Sequence, residues 1–148
     1  MVLGRVNHSC LVRLSGVCAH RGDTYLVLEF AENGALSDWL HGGNAACHLD
    51  WQQRVQVARD IASGLNYLHH STVPPYVHKN LNSGNVLLDS KFRAKVSSFG
   101  LARAVAAAGT DGGGGVQALL QNRPLFQAIC PGYLWTRDKV SFCPGSNG

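Results

Sequence analysis

The chain has 148 residues, of which 45% are hydrophobic and 15% are charged, a balance that predicts one folded domain and excludes a disordered chain. Its formal net charge of +4 comes from scattered basic residues, so we expect no nucleic-acid partner. The five cysteines form no C-x-x-C pair and no apolar run approaches the ~20 residues of a membrane span, so we expect a reduced chain without a metal site, a disulfide framework or membrane contact of its own.

Two strands and a short helix are predicted at the start of the chain. Apolar residues alternate with small or polar ones from Leu11 to Cys18, which predicts a half-buried strand, and a second strand is predicted from Thr24 to Phe30 after a turn. Asn33-Gly34 ends this hairpin. Residues 35–40 then predict a short helix that is closed by Gly42-Gly43.

The longest predicted helix begins after Asp50, because this residue can cap the helix while Gln53 completes a capping box. Apolar residues recur every three or four positions and predict one buried stripe: Trp51, Val55, Ala58, Ile61, Leu65 and Leu68. Pro74-Pro75 excludes further helix, and two short strands are predicted at residues 86–88 and 91–96.

The chain changes character after Arg103. Residues 104–108 favour helix by propensity, but Gly109 and the glycine run at 112–115 predict a mobile loop. From residue 122 to the end there is no consistent hydrophobic period, and we expect a disordered tail without a packing face. The sequence therefore predicts an ordered domain at residues 1–103 and an unrelated Ala/Gly-rich loop and tail at residues 104–148.

The stretch that carries chemical information runs from His78 to Asp89 and is followed by Ser98-Phe99-Gly100. It resembles the catalytic loop H-R-D-L-x-x-x-N and the metal-binding D-F-G of protein kinases, in the correct order and at a kinase-like separation. Other segments resemble plant receptor-like kinases, particularly those with extracellular LysM modules that perceive chitin-type oligosaccharides: residues 11–14, 25–30, 33–36 and 60–69. The resemblance implies an α+β fold, namely a partial protein kinase fold that contains the end of the N-lobe hairpin and the first part of the helical C-lobe.

Three positions depart from the kinase pattern. Asn80 replaces the aspartate that accepts the substrate proton, and Ser98 replaces the aspartate that holds magnesium. An amide cannot take up a proton near neutral pH, and a hydroxyl is a weak magnesium ligand beside a carboxylate. Asn82 stands where many kinases carry a lysine that steadies the transferred phosphoryl group. We therefore expect no catalytic residue and no enzymatic activity, although Asn85 keeps the family identity of a magnesium ligand.

The family resemblance also assigns residual nucleotide contacts and a hydrophobic spine. Glu29 and Ala31 would lie at the hinge beside adenine and Leu87 at the adenine floor, but a covered strand edge and an ordinary core leucine are the simpler interpretation. The spine residues would stack in the core: Leu14, His78 and Phe99. We expect no cofactor, with at most weak binding of ATP and magnesium.

Several family features do not occur within these 148 residues. No G-x-G-x-x-G loop or V-A-I-K lysine precedes the hairpin, and no A-P-E follows the D-F-G-like motif. We interpret the chain as a fragment that lacks the glycine-rich loop and the later helices. Such a fragment would leave an apolar face uncovered, which favours self-association or a covering partner: Leu11, Val12, Leu14, Val55, Ile61 and Leu68.

Three functions remain open at this point. The first is an inactive pseudokinase fragment that binds a protein partner, such as another receptor-like kinase, in receptor signalling. The second is an ATP-binding serine/threonine kinase domain with phosphotransferase activity, and the third is a truncated gene product without a function. Because the resembling receptors lie in the plasma membrane with cytosolic kinase domains, the expected location is cytoplasmic.

Overall fold

The computed structural model describes residues 4, 6–42, 48–99, 102–104, 122–131, 133–136 and 139–142. A π-helical turn at Tyr67–Ser71 continues the longest helix, and a 3-10 turn at Ser83–Asn85 precedes the fourth strand. The helices and strands in chain order are β1 (Leu14–His20), β2 (Asp23–Leu28), α1 (Leu36–His41), α2 (Trp51–Asn66), β3 (Tyr76–Val77), β4 (Val86–Leu88), β5 (Ala94–Val96), β6 (Arg103–Ala104), α3 (Arg123–Ile129), β7 (Tyr133–Thr136) and β8 (Lys139–Phe142).

The described strands form four antiparallel pairs. β1 pairs with β2, β3 with β6, β4 with β5, and β7 with β8. The tight turn of the first hairpin contains Arg21 with φ of 51° and Gly22 with φ of 89°. Two successive positive φ values match the twist of a two-residue hairpin turn, which explains why the chain reverses at this point.

The predicted first strand began at Leu11, but β1 begins at Leu14. The preceding residues leave the hairpin and bond to β5 instead, since Val12 N donates to Val96 O at 2.9 Å and Val96 N donates to Cys10 O at 2.9 Å. Leu11 and Val12 are therefore buried beside β5. The alternation of the sequence continues through this segment, so the change of partner is set by tertiary packing and not by local pattern.

The capping box of α2 is present as predicted. Asp50 Oδ1 accepts from Gln53 N at 2.7 Å, and Gln53 Oε1 accepts from Asp50 N at 2.9 Å. The predicted buried stripe, however, included Trp51 and Val55, which are 47% and 36% exposed. The prediction is correct for Ile61 and Leu65, but the buried face of α2 is displaced from Trp51 and Val55 towards Val57, Asp60 and Gly64.

The core lies between α2 and the β4–β5 hairpin. Gly64 lets the segment at Cys10 and Leu11, which bonds to β5, approach α2 closely, because a Cβ atom at Gly64 would lie 2.9 Å from Leu11 Cδ2 and 3.0 Å from Cys10 O. The following apolar side chains are buried in one cluster: Leu11, Leu36, Val57, Ile61, Leu65, Leu68, Val86, Leu88 and Val96. Among the described helices, none combines the length and apolar character needed to cross a membrane.

α3 contradicts the expectation that residues from 122 onwards have no packing face. Leu125, Ile129 and Cys130 are buried in the same cluster as the side chains of α2. Asn122 caps the helix by accepting from Leu125 N at 3.3 Å, and Pro124 occupies its first turn. The helix has seven residues, too few to show a hydrophobic period. Helix was predicted by propensity at residues 104–108, but Ala104 lies in β6, and residues 105–108 as well as the predicted mobile loop at 109–115 lie outside the described residues.

The uncovered apolar surface lies on the β1–β2 hairpin and not where it was expected. Leu11, Val12, Ile61 and Leu68 are at most 1% exposed, so the predicted apolar face is largely covered. The large exposed apolar side chains of the hairpin and its end are Val17, Tyr25, Leu26, Val27, Leu28 and Phe30. Two strands alone cannot bury both of their faces, which accounts for this exposure.

Candidate functional site

The catalytic-like loop, residues His78–Asn85, connects β3 to β4. Its first residue, His78, is buried, and His78 Nε2 lies 2.7 Å from Ser97 O while His78 Nδ1 accepts from Asn80 N at 3.3 Å. These bonds fix a neutral ring with the proton on Nε2. Burial lowers the pKa of His78 below its ordinary value, and the bond to Ser97 opposes part of this shift.

Two of the three predicted spine residues are in contact. The rings of His78 and Phe99 meet edge to face with centroids 5.3 Å apart, and both side chains are buried. Leu14 is half-buried on β1 opposite Leu28. A structural role for His78 and Phe99 fits these contacts, while the stacking of Leu14 in the same spine stays a prediction.

The three asparagines of the catalytic-like loop form one hydrogen-bonded group. Asn82 Oδ1 accepts from Gly84 N at 2.9 Å and from Asn85 N at 3.2 Å. Asn82 Nδ2 donates to Asn80 O at 3.2 Å and to Asn80 Oδ1 at 3.3 Å. Asn85 Nδ2 also donates to Asn80 O, at 2.8 Å. Asn82 thus caps the 3-10 turn, a role that requires an acceptor and that a lysine could not fill.

The D-F-G-like motif is tied to the catalytic-like loop through the carbonyl of Asn85. Asn85 O accepts from Ser97 N at 2.8 Å and from Ser97 Oγ at 3.1 Å. Ser98 is exposed and has φ of 62°, and Lys79 at the other side of the site also has φ of 62°. Residues other than glycine are uncommon in this left-handed region, and such strain concentrates at functional sites. The backbone of the site is therefore held in a specific, strained conformation.

The predicted hinge residues lie along one edge of the fold. Glu29 N donates to Arg13 O at 3.0 Å, while the Glu29 carboxylate accepts from Arg13 N at 2.8 Å and pairs with Lys95 Nζ at 3.2 Å. Ala31 is buried, and Leu87 is half-buried and bridges to Ala35. Glu29 thus bonds to Arg13 and to Lys95 of β5, whereas Leu87 belongs to β4, and the contact of the three predicted residues with adenine stays a prediction.

Asp60 is a supporting residue that the sequence patterns did not reveal. It is 3% exposed, and its carboxylate accepts from Arg93 Nη2 at 2.6 Å, Arg93 Nε at 2.8 Å, Gln56 Nε2 at 2.8 Å and Ala94 N at 3.0 Å. Burial raises the pKa of Asp60, but the bonds from Arg93, Ala94 and Gln56 outweigh burial and hold this pKa below its ordinary value. A charged residue next to Ile61 in an apolar stripe was the signal that a buried ion pair was required.

A crevice of about 490 Å³ runs along the catalytic-like loop. Lys79, Asn80 and Asn82 line one wall, and Asn122 and Pro124 of the tail segment line the other. The crevice lies beside the residue that stands in the place of the proton acceptor. A substrate hydroxyl would have to approach Asn80, so the crevice belongs to the candidate site.

A sequence model of the protein tyrosine and serine/threonine kinase family matches residues 1–118 of the chain. The chain belongs to this protein kinase family. Protein LYK5 of Arabidopsis thaliana is 54% identical over 102 residues, which are 69% of this chain and 15% of that protein. Chitin elicitor receptor kinase 1 of the same plant is 52% identical over 102 residues, which are 69% of this chain and 16% of that protein.

A third relative, Calcium/calmodulin-regulated receptor-like kinase 2 of Arabidopsis thaliana, is 45% identical over 69% of this chain and 23% of that protein. The chain thus spans less than a quarter of the length of each of these three relatives. The predicted resemblance to plant receptor-like kinases of the LysM group and the predicted partial kinase fold of the α+β class are confirmed. The boundary predicted at residues 103 and 104 stays a prediction, and α3 lies beyond the matched residues.

Proposed function

We propose that this kinase-family chain is catalytically inactive and acts as a protein-interaction module in receptor signalling. The observation that carries this proposal is the hydrogen-bonded group of Asn80, Asn82 and Asn85, in which amides stand where catalysis requires a proton acceptor and a cation. An amide at the proton-acceptor position removes a contribution of ~10²–10⁴-fold to the rate. Hydrogen bonds hold the loop in place, but these reactive groups are absent from it.

The metal position supports the same proposal. Ser98 and Asn85 offer neutral oxygen ligands, whereas magnesium in kinase sites is bound through carboxylates and phosphates. Without the carboxylate, magnesium adds little to nucleotide binding at this site. We therefore expect no functional cofactor, and at most weak binding of ATP and magnesium.

A nucleotide titration with and without magnesium tests the metal part of the proposal. The stability of the chain should respond to ATP equally in the presence of magnesium and of a chelator, because Ser98 holds no metal. Ser98→Asp restores a carboxylate and should introduce a dependence on magnesium, whereas Ser15→Asp, at an exposed serine of β1, is the control and should introduce none. A strong magnesium-dependent stabilisation of the unchanged chain would refute the proposal.

The setting in receptor signalling rests on the relatives. One of them bears the name Chitin elicitor receptor kinase 1, and we propose that the chain acts in chitin-type perception with another receptor-like kinase as its partner. The exposed apolar side chains of the β1–β2 hairpin offer a surface for such a partner. Titrating the chain with the kinase domain of that relative in a calorimeter should give saturable binding that weakens in the double variant Val17→Asp, Leu26→Asp. Unchanged binding by that variant, or no binding by the unchanged chain, would contradict the proposal that the hairpin binds a receptor-like kinase.

A second candidate function is an ATP-dependent protein kinase. The observation in its favour is the constrained backbone of the site, with Ser98 and Lys79 in the left-handed region and Asn85 Nδ2 bonded to Asn80 O. This candidate requires another group to take the proton from the substrate. Incorporation of phosphate that disappears in Asn85→Ala but not in Gln52→Ala would favour it over the inactive form.

A further inference from the structure

The N-terminal end of residues 122–131 is fixed to the catalytic-like loop. Asn122 Nδ2 donates to Leu81 O, and Asn122 Oδ1 accepts from Leu125 N at 3.3 Å. Leu81 lies between Asn80 and Asn82 and packs partly buried against the core. One side chain thus caps α3 and joins it to the loop that carries the degenerate positions.

The C-terminal end of the same segment is fixed to α2. Arg54 Nη1 donates to Ala128 O at 3.0 Å and to Ile129 O at 3.1 Å, and Arg54 Nε donates to Leu49 O at 3.1 Å. A guanidinium group at the last carbonyls of a helix supplies donors and a favourable charge. Arg54 therefore attaches the C-terminal end of α3 to α2, while Asn122 attaches its N-terminal end to the catalytic-like loop.

Between these two attachments the segment buries its apolar side. Leu125, Ile129 and Cys130 are 3%, 0% and 6% exposed, while Gln127 on the opposite side of α3 is exposed. Apolar burial together with two polar attachments distinguishes a docked segment from a loosely collapsed tail.

The docked segment covers one side of the catalytic-like loop. Besides the crevice of about 490 Å³, a smaller one of about 240 Å³ lies between Asn82 and Ser83 of the loop and Asn122, Leu125 and Ala128 of the segment. A protein chain that runs along this side of the loop would have to occupy the space that the segment fills. Small molecules can enter the crevices, whereas a protein chain and the docked segment would compete for this side of the loop.

We infer that residues 122–131 form an intramolecular strap that occludes one side of the catalytic-like loop and must detach before a protein segment can lie along Asn82 and Ser83. The strap lies beyond residue 118, where the match to the kinase family ends. It acts by its position and does not depend on whether the loop is catalytically active.

Three cysteines of the chain report on the strap without any substitution. Cys130 belongs to the strap and is buried, Cys10 is buried in the core outside the strap, and Cys18 is exposed on β1. Burial raises the pKa of the Cys130 thiol, and Arg54 opposes part of this shift. Mass spectrometry of alkylated peptides should show rapid labelling of Cys18 and slow labelling of Cys130 and Cys10. Labelling of Cys130 as fast as that of Cys18 in the unchanged chain would overturn the inference.

Variants at the two attachments should open the strap alone. Arg54→Ala should accelerate alkylation of Cys130 ~10-fold, the factor expected for losing a charged hydrogen-bond donor, and Asn122→Ala should accelerate it ~5-fold, as for a lost helix cap. The matched controls are the exposed Arg59→Ala on α2 and Gln127→Ala on α3, which should leave the rate unchanged. Labelling of Cys10 should stay slow throughout, since this thiol reacts when the whole core unfolds.

A thiol placed in the smaller crevice tests the occlusion itself. Ser83→Cys is nearly isosteric and lines the crevice opposite Leu125. Its alkylation should accelerate by the same factor as that of Cys130 when Arg54→Ala is added. If the alkylation of Cys130 and that of Cys10 accelerate together in every variant, the segment unfolds with the core and is no separate strap. If the alkylation of Cys130 accelerates and that of the thiol in Ser83→Cys does not, the strap covers nothing at the loop, and the inference is equally overturned.

Discussion

Asp60 ties α2 to the β4–β5 hairpin through a buried carboxylate. Its partner Arg93 is half exposed, so Arg93→Ala can be accommodated sterically but leaves a buried negative charge with two neutral donors. We expect this variant to lower the free energy of unfolding by ~1–3 kcal/mol, less than for a fully buried pair, because water already reaches Arg93 and two hydrogen bonds to the Asp60 carboxylate remain. Urea denaturation measures the change, with the exposed Lys91→Ala as a control that should be nearly neutral. Equal stabilities of the two variants would contradict this role of Asp60.

His78 makes the stability of the chain depend on pH. Because burial lowers its pKa in the folded state, the unfolded imidazole binds a proton below about pH 6.5 that the folded imidazole does not. The contribution of neutral His78 to the free energy of unfolding is therefore present above about pH 6.5 and is lost as pH falls. Burial also lowers the pKa of His8, and the charge of Asp60 opposes part of this shift. His8 therefore adds to the loss of stability as pH falls below about 6.5. Denaturation of His78→Phe should show a weaker loss between about pH 7 and about pH 5 than the unchanged chain.

The left-handed backbone of Ser98 predicts a stabilising substitution. Ser98→Gly removes the steric cost of φ at 62° and should raise the free energy of unfolding by ~1 kcal/mol. Ser97→Gly is the matched control, because Ser97 is buried and its hydroxyl donates to Asn85 O, so its loss should destabilise the fold. Thermal unfolding of both variants decides the matter, and two changes of the same sign would show that the strain at Ser98 is negligible.

The β1–β2 hairpin carries most of the large exposed apolar side chains of the described residues. Val17 pairs with Leu26 and Cys18 with Tyr25, so both faces of the hairpin carry exposed apolar side chains. Val17→Thr with Leu26→Thr should reduce hydrophobic-dye fluorescence and concentration-dependent association, as sedimentation measures it. Val73→Thr changes a valine that is 91% exposed on another part of the chain and should alter neither property. Identical behaviour of these two variants would remove the hairpin as the associating surface.

Elements with strong local signals were predictable, and elements fixed by distant partners were not. The capping box of Asp50 and Gln53 and the turn at Gly22 depend on neighbouring residues, and both were visible in the sequence. β1 starts late because Val12 bonds to Val96, which is far away along the chain. α3 is short and depends on Arg54 of α2, so its seven residues carry no pattern of their own.

For the molecule as a whole, the motifs predicted which residues meet at the site but not what their side chains do there. The order of the two kinase-type motifs led to Asn80, Asn82, Asn85 and Ser98. In the structure Asn80 and Asn82 bond to Asn85, and Ser98 follows Ser97, which donates to Asn85 O. That Asn82 caps the 3-10 turn follows from bonds to Gly84 and Asn85 that motif spacing does not contain. The strap is a property of the assembled fold, because its attachments join residues far apart in sequence.

The central claim is that this kinase-family site does not transfer phosphate, and intact-mass measurement after incubation with ATP and magnesium tests it most directly. The chain, Asn80→Ala and Ser98→Ala should all keep their mass, and an added generic substrate protein should remain unmodified, because the site has neither a proton acceptor nor a metal carboxylate. Phosphate incorporation by the unchanged chain that is abolished by Asn80→Ala and retained by the exposed control Lys91→Ala would contradict the account.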